Sequence, residues 1–379
     1  MKKQHDRFRA LLTADLHMSN TLPHSRPATD DGITDRLLDQ QKLWTEIHAS
    51  AEEHEVDATF VLGDLFDSSL VDPATLIVTS EALKATPVPM YILPGNHEAN
   101  GELFISGAFA HLGADKIIYL GGADPKGYQI SDWLRFWPMD YSTPERLMKR
   151  ITDAMDYMAF GRKPAEVALL HHSIVGCSHF GWTCDDGVLA DDVCEPFDWV
   201  FTGHFHEHQA FGPEEKGMYL GAPMHHRFDD VGRSAGWWIM DWKHRSGKVS
   251  LDAKFIPSSA PRFHAVKWSG KSSLKGVKAK PGDYVRLIVE ATHAEWTKLK
   301  PGVSAAVGRL REAGVRASWK HKPEYHHGRR LKGKATRVGS VDFIDAIDAY
   351  LGAPDVDTSG LSLKKLRRLG RELLEEAGD

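Results

Sequence analysis

Thr59-Phe60-Val61-Leu62-Gly63-Asp64-Leu65-Phe66-Asp67 joins a short strand-forming run to a glycine and two carboxylates. The β-branched and aromatic residues of 59–62 suit a buried strand, and Gly63 lets the chain turn tightly where that strand ends. Four other apolar runs end in the same kind of residue, at Thr13-Ala14-Asp15-Leu16-His17, Gly95-Asn96-His97-Glu98, His171-His172 and Gly203-His204-Phe205-His206. In α/β sheets ligands collect at the carboxyl ends of strands, so such ends can converge on one site. In Asp15-x-His17 and His204-x-His206 the spacing lets alternate side chains of an extended segment point the same way. Carboxylate, imidazole and amide oxygen together suit divalent manganese, iron or zinc better than calcium.

Around these ends, apolar runs alternate with helical spacing. Strands are expected at 8–12, 59–62, 90–93, 116–120, 167–170, 199–201, 218–220 and 237–241. Helices are expected where Ile33, Leu37, Trp44, Ile47 and Ala51 recur (capped by Asp30, Asp31 or Thr34), and at 73–84, 102–112 and 144–158. Strands alternating with helices first and strands alone later predict an α/β layered sheet structure. Pro257-Ser258-Ser259-Ala260-Pro261 reads as a linker. Beyond it, 284–290, 305–313 and 315–320 form a small β-α-β unit. Ile344, Ile347 and Leu351, then Leu363, Leu366, Leu369 and Leu373, mark two one-sided helical stretches that either pack on their own body or bind a partner.

Composition bounds the rest. The 379 residues are 42% hydrophobic, enough for a sizeable core, and contain no apolar run long enough to span a membrane. Three cysteines argue against a disulfide framework, and Met1-Lys2-Lys3-Gln4-His5-Asp6 lacks the apolar stretch of a secretory signal. A soluble cytoplasmic protein is expected, with no membrane partner. The net charge of −5 hides a division: residues 241–379 carry 28 basic and 16 acidic residues, whereas 1–240 carry 19 and 36. An acidic body with a basic attachment suggests a metal-rich domain joined to a polyanion-binding one.

Asp15-x-His17, Gly63-Asp64-x-x-Asp67, Gly95-Asn96-His97-Glu98, His171 and Gly203-His204-x-His206 resemble the signature of the calcineurin-like metallophosphoesterase superfamily. Within it, 63–67 and the appended basic and helical segments resemble the SbcD-type exonuclease subunit of the double-strand-break repair nuclease, its bacteriophage relatives included. The resemblance implies a layered β-sandwich flanked by helices over residues 1–255, a small basic α+β domain over 256–335 that caps the site, and a C-terminal helix-loop-helix over 336–379 that binds a partner. It implies two divalent metals, Mn2+ foremost, with Fe2+, Zn2+ and Mg2+ open. One would be held by Asp15, His17, Asp64 and His206, the other by Asp64, Asn96, His171 and His204, with Asp64 bridging. His97 would sit over the scissile phosphate and stabilise charge or protonate the leaving oxygen. His172 stays open as an alternative to His171. Asp67 stands where eukaryotic and archaeal relatives usually have His and bacterial ones commonly Asp, and is expected to orient a ligand. Two cations about 3.5–4 Å apart lower the pKa of a bridging water and clamp the phosphate, so no Ser or Cys nucleophile is required.

Lys271, Lys275, Lys278, Lys280, Arg309, Arg311, Arg316, Lys320 and Lys322, interleaved with Trp268, Trp296, Trp319 and Tyr325, are expected to contact DNA phosphates. Ala265-x-x-x-x-Gly270-Lys271-Ser272 lacks the first glycine of a phosphate-binding loop and opens no helix, so no ATP is expected on this chain. The resembled machine keeps its ATPase on a separate SbcC-like chain, on which the terminal leucine stretch would dock. Cys177, Cys184 and Cys194 lack a paired spacing for zinc, and His225-His226 is expected in a solvated loop. The resemblance thus implies a 3′→5′ DNA exonuclease with single-strand endonuclease activity in recombination or repair, in the cytoplasm (the host's if phage-encoded) and compatible with a homodimer. Two other readings stay open: a phosphoesterase of small phosphoesters or phosphoproteins, and a non-catalytic DNA-end-binding subunit.

Overall fold

A computed structural model describes residues 6–101, 103–111, 116–122, 126–158, 164–270, 278–323, 362 and 365. The chain divides into two compact units, Met1–Glu324 and Tyr325–Asp379, and the fold described below belongs to the first. The two expected C-terminal helices fall outside the described residues, save Ser362 and Lys365.

Two six-stranded sheets carry the body. In the first, Arg7–Thr13 runs parallel to Ala58–Leu62, followed by Met90–Leu93 and Ile117–Tyr119. On its other side lies the antiparallel strand Gly236–Arg245, with Lys248–Pro257 at the edge. In the second sheet, Ala165–His171 is flanked by Trp199–Gly203 and Leu134–Met139, all parallel. Gly217–Tyr219 and Gln209–Phe211 extend one side, and Tyr128–Ser131 closes the other.

Side chains alternate across the strands, and both faces are covered, which explains the unbroken apolar runs. Ala10, Leu12, Phe60 and Leu62 of the first sheet share a core with Phe136, Val167, Leu169 and Phe201 of the second. The rings of Phe60 and Phe136 meet edge to face at 5.1 Å. Leu11, Val61 and Ile92 point the other way, against Leu37, Trp44 and Ile47 of helix Asp35–Glu53 and Val78 and Leu83 of helix Pro73–Lys84. The outer face of the second sheet packs Ala168, Leu170 and Val200 beneath Leu147, Ile151 and Ala154 of helix Pro144–Met158. The result is a β-sandwich flanked by helices. The Thr34 side chain caps the first helix and Asp72, just before Pro73, the second, each accepting from a backbone N–H.

Three expectations need correction. In place of a helix over 102–112, short paired strands at Ala99–Asn100 and Leu103–Phe104 lead into a 3-10 helix at Ile105–His111. The pair 128–131 with 134–139 and the strand 248–257 lie where the apolar runs showed no strand, while Gly236–Arg245 lengthens the one expected at 237–241. Residues 257–261 are no loose linker: Pro257 ends a strand, the Ser258 hydroxyl donates to Pro223 O at 2.6 Å, and Ser259 N–H donates to Glu46 at 3.0 Å.

A small parallel sheet follows, ordered Phe263–Lys267, Tyr284–Ala291, Arg316–Pro323. Helix His293–Glu312 covers it through Val303, Ala306, Val307 and Leu310, which pack on Val285, Leu287 and Val289. Arg316 anchors this sheet to the first body helix, pairing with Asp39 and reaching Asp35 at 3.3 Å. Beside it, the fully buried Arg36 lies over the rings of Phe263 and Tyr284, at 5.2 and 5.3 Å.

Candidate metal centre

The backbone is bent hardest where the strands deliver their polar residues. Asp15, His17, Asp64 and His204 have φ of 53°, 47°, 50° and 93°. That region costs a side-chain-bearing residue about 1–3 kcal/mol and is kept only where surroundings enforce it. The enforcement is visible: His17 N–H donates to Asp64 O at 2.9 Å, His204 N–H to the Asp15 carboxylate at 3.0 Å, and His97 N–H to Asp64 Oδ1 at 2.9 Å. Gly63 is needed for space as well as for its φ of +85°, because a Cβ there would lie 1.9 Å from His171 Nδ1.

The strand ends of both sheets meet around Asp64. Its Oδ2 lies 3.3 Å from His171 Nε2, 3.7 Å from His17 Nε2 and 4.0 Å from His97 Nε2. Asn96 Oδ1 faces His171 Nε2 at 3.2 Å and His204 Nδ1 at 2.9 Å. Possible ligand atoms cluster as Asp15, His17 and Asp64, and as Asp64, His171 and His204, so Asp64 belongs to both groups. His17 also groups with His206 and His226, and with Asp67 and His97.

Hydrogen bonds behind the cluster set which ring nitrogen faces inward. A carbonyl only accepts, so His171 donates from Nδ1 to Leu62 O at 2.9 Å and turns the Nε2 lone pair toward Asp64. His17 Nδ1 lies 3.1 Å from Asp67 Oδ1, and His206 Nδ1 lies 3.4 Å from Asp230 Oδ1. With both Nδ1 atoms turned to carboxylates, the Nε2 atoms of His17 and His206 face each other at 3.1 Å. At that distance the pair is joined either by a proton carried on one Nε2 or by a cation shared between them. The doublet 171–172 separates: His172 donates from Nε2 to Asp140 O at 3.0 Å, away from the cluster.

Charge supports the same fit. Asp15 and Asp64 are buried, and among the described residues no Lys or Arg pairs with either. Burial would raise the Asp64 pKa, but His171, His17 and His97 pull it well below the usual carboxylate range. Burial would lower His171, but the Asp64 carboxylate outweighs it and pushes the imidazole up to about 9. A divalent cation would displace such protons and neutralise the carboxylates, and the donor set suits one at each of the two Asp64-sharing groups. His97 is different in kind. Its side chain is 38% exposed, and Nδ1 donates to Asp67 O at 2.9 Å, which leaves Nε2 free at the mouth.

Sequence reasoning missed two groups. His226 is buried, not solvated: Nε2 donates to Asp15 O at 2.9 Å, and its ring lies 4.8 Å from that of His17 and 5.0 Å from that of His206. Asp230, also buried, is the carboxylate behind His206. The signal available was the doublet His225-His226, followed within five residues by Asp229-Asp230.

The basic residues fall differently. Lys278, Lys280, Arg309, Arg311, Lys320 and Lys322 are exposed, whereas Lys271 and Lys275 lie outside the described residues. Lys280 and Arg311 sit at the end of the small sheet where Gly282 N–H donates to Gly314 O, and Lys320 and Lys322 lie farther along its last strand. Arg311 spends its Nε–H on Ala317 O, and Arg316 is committed to Asp35 and Asp39. Trp268 is buried, so it offers no surface ring.

The sequence profile of the calcineurin-like phosphoesterases matches residues 8–208. The chain belongs to that family. Calcineurin-like phosphoesterases are metal-dependent hydrolases, and their dinuclear divalent centre corresponds to the His/Asp clusters above. Among curated proteins, the SbcD component of the SbcCD nuclease of Escherichia coli K12 is 26% identical over a 264-residue alignment that covers 60% of this chain and 63% of that one. Its counterpart in the SbcCD nuclease of Bacillus subtilis 168 is 22% identical over a 309-residue alignment that covers 71% of this chain and 74% of its own. The chain thus spans 63% of the length of the E. coli relative, short of two thirds. A solved dimetal phosphatase from Danio rerio is 12% identical, with a TM-score of 0.41 covering 66% of this chain and 99% of that one. Among the described residues, no helix is long and apolar enough to cross a membrane.

Proposed function

We propose that this chain is a two-metal DNA phosphodiesterase, a 3′→5′ exonuclease with single-strand endonuclease activity, working as the nuclease subunit beside an SbcC-like ATPase in recombination or repair. The observation that carries the two-metal reading is Asp64, whose carboxylate belongs to both ligand groups. One cation would be held by Asp15, His17, Asp64 and His206, the other by Asp64, Asn96, His171 and His204. Manganese is the first ion to test, the mixed set of carboxylate, amide and imidazole suiting manganese, iron or zinc. Two divalent cations there would activate water and neutralise charge on the phosphodiester. His97 carries a free Nε2 at the mouth, and its protonated form would donate to the leaving ribose oxygen. Asp67 and Asp230 lie beside Nδ1 of His17 and His206, where their charge would favour a proton on Nδ1 and leave Nε2 to ligate.

DNA as substrate is favoured by the two curated relatives, both named as parts of a nuclease, and by the excess of basic residues after 240. In this reading residues 1–255 form the nuclease body, 256–335 a DNA-guiding cap carrying Lys278, Lys280, Arg309, Lys320 and Lys322, and 336–379 the segment that engages the ATPase. A second copy of the chain would complete a dimeric nuclease, working in the cytoplasm.

The test is degradation of end-labelled duplex and single-stranded DNA by the full chain with manganese, beside Asp64→Ala. Metal-dependent cleavage by the wild type and none by the variant is expected. Hydrolysis of bis(p-nitrophenyl) phosphate with no cleavage of either DNA, even with the ATPase added, would move the assignment to small phosphoesters.

A further inference from the structure

Trp182 is 80% exposed, by far the most exposed aromatic ring among the described residues. Isolated apolar side chains on a surface are ordinary, but a bare indole on a rigid mount beside an active centre is not. The mount is the hairpin Ser178–His179 with Trp182–Thr183, turned by Phe180 and Gly181. Its base is clamped to the segment that follows His204 and His206. Ser178 N–H donates to Gln209 Oε1 at 2.7 Å, Gln209 Nε2 donates back to Ser178 O at 2.8 Å, and the Ser178 hydroxyl donates to Glu207 at 3.3 Å.

The hairpin lies against the metal centre. The Phe180 ring is 5.7 Å from that of His206, and the guanidinium groups of Arg227 and Arg233 lie over it at 5.0 and 4.6 Å. The His179 ring packs on Phe205 at 4.5 Å and lies parallel to that of His204, 6.4 Å away. Trp182 is the register partner of His179, and residues directly opposite in an antiparallel pair share a face of the hairpin. The exposed indole therefore shares the hairpin face of His179, whose ring lies parallel to that of His204, and the cationic Arg227 lies over Phe180 at the turn.

Resting on the nuclease reading above, we propose that Trp182 is a stacking platform for an unpaired nucleobase of the DNA strand whose phosphate lies at the metal centre. The indole face would take any base, which gives preference for single-stranded or frayed ends without sequence preference. Arg227 would meet an adjacent phosphate. A flat, sequence-tolerant platform fits a chain that must present successive nucleotides to one cutting site. Trp182 is a positioning residue here, because it would touch the strand away from the bond that breaks.

The experiment compares wild type, Trp182→Ala and Trp182→Tyr, all with manganese, on three substrates: a single-stranded oligonucleotide, a fully abasic oligonucleotide of the same length, and bis(p-nitrophenyl) phosphate. Trp182→Ala is expected to raise KM for the normal oligonucleotide about five- to hundredfold with kcat little changed, the range of one lost base stack. Trp182→Tyr should recover most of this. The small diester should be hydrolysed equally by all three, and on the abasic strand wild type should fall to the level of Trp182→Ala. Equal KM for wild type and Trp182→Ala on the normal strand would overturn the platform while leaving the nuclease standing. So would a defect that persists in full on the abasic strand, which would mean a structural role. Wild type that hydrolyses the small diester but no DNA would overturn both readings, a result distinct from the other two.

Discussion

The Nε2 atoms of His17 and His206 face each other across 3.1 Å, each ring backed at Nδ1 by a buried or half-buried carboxylate, Asp67 or Asp230. Backing of this kind fixes the tautomer and aims a lone pair inward. A divalent cation would displace the proton that otherwise joins the two nitrogens, and by binding the native state it should stabilise the fold as well as serve the chemistry. Manganese at about a hundred times its dissociation constant should stabilise the protein by about 2.7 kcal/mol, because it binds the native state alone. Thermal unfolding against manganese concentration, after treatment with a chelator, reads this directly. An unfolding temperature indifferent to manganese, and to zinc or iron, would sink the metal centre.

Of the proposed ligands Asp230 meets His206 alone, at 3.4 Å, while its other oxygen accepts from His226 N–H at 2.8 Å and Arg233 pairs with it at 3.2 Å, so Asp230→Asn, which keeps the acceptor, tests orientation apart from coordination. The amide keeps the size and loses the charge beside His206 Nδ1. Such changes cost about 10–100-fold in metal affinity, and calorimetric titration with manganese should show a loss of that order at one of two sites. Unchanged affinity at both sites would remove Asp230 from the centre.

Gly63→Ala and Gly247→Ala form a matched pair. Both glycines have positive φ, 85° and 78°, so both variants pay the same backbone penalty of about 1 kcal/mol. Nothing lies within 4 Å of a Cβ at Gly247, whereas at Gly63 it would meet His171 Nδ1 at 1.9 Å. Gly63→Ala must move His171, so it should cost a further 1–3 kcal/mol or so and abolish manganese binding at the second position. Denaturant unfolding of the two variants side by side checks it, and equal losses would contradict the crowding at His171.

The positions of Asp15, Asp64, Asn96, His171 and His204 were legible in the sequence because each ends a strand or lies within three residues of its end, and a parallel strand buried on both faces announces itself as an apolar run. Edge and antiparallel strands were less legible. Lys248–Pro257 is exposed or half-buried along its whole length, so it has no long apolar run and its last residue read as a linker. Residues 105–111 are apolar enough for a helix but coil more tightly, after a two-residue hairpin that no periodicity reveals. His226 and Asp230 lie on a loop whose path only the tertiary fold decides. A histidine doublet reads as solvated until the structure turns it against His17 and His206.

Acid should loosen the body from a site remote from the ligands. His48 is half-buried on the first helix beside Trp44, its Nε2 has no hydrogen-bond partner, and burial lowers its pKa from the ordinary 6.5 to about 4. As pH falls below 6.5, the unfolded chain takes up a proton that the folded chain refuses. Stability therefore declines from there to about pH 4 and levels off below it, where both states are protonated. His48→Phe removes this uptake. The unfolding temperature of the metal-free variant should fall less steeply than that of wild type between pH 6.5 and pH 4. Parallel slopes would show that His48 is not held neutral.

The attachment of the small sheet rests on Arg316, which reaches Asp39 and Asp35 of the first helix and the Tyr284 hydroxyl of its own sheet. Burial alone would lower the Arg316 pKa, but the hydrogen bond to Asp39 and the charges of Asp39 and Asp35, with Tyr284, together outweigh it and the net shift is upward. The Asp39 side chain is only 6% exposed, so removing its partner leaves a carboxylate stranded. Arg316→Met should cost about 2–4 kcal/mol, near the range for breaking a buried pair. Arg316→Met with Asp39→Leu should recover much of it, because two apolar groups of similar volume replace the pair without a charge left over. Denaturant unfolding of both variants decides between an ion pair that fixes the junction and one that only decorates it. If the single variant loses under about 1 kcal/mol, in the range of exposed pairs, the junction is held by Arg36 and its two rings instead.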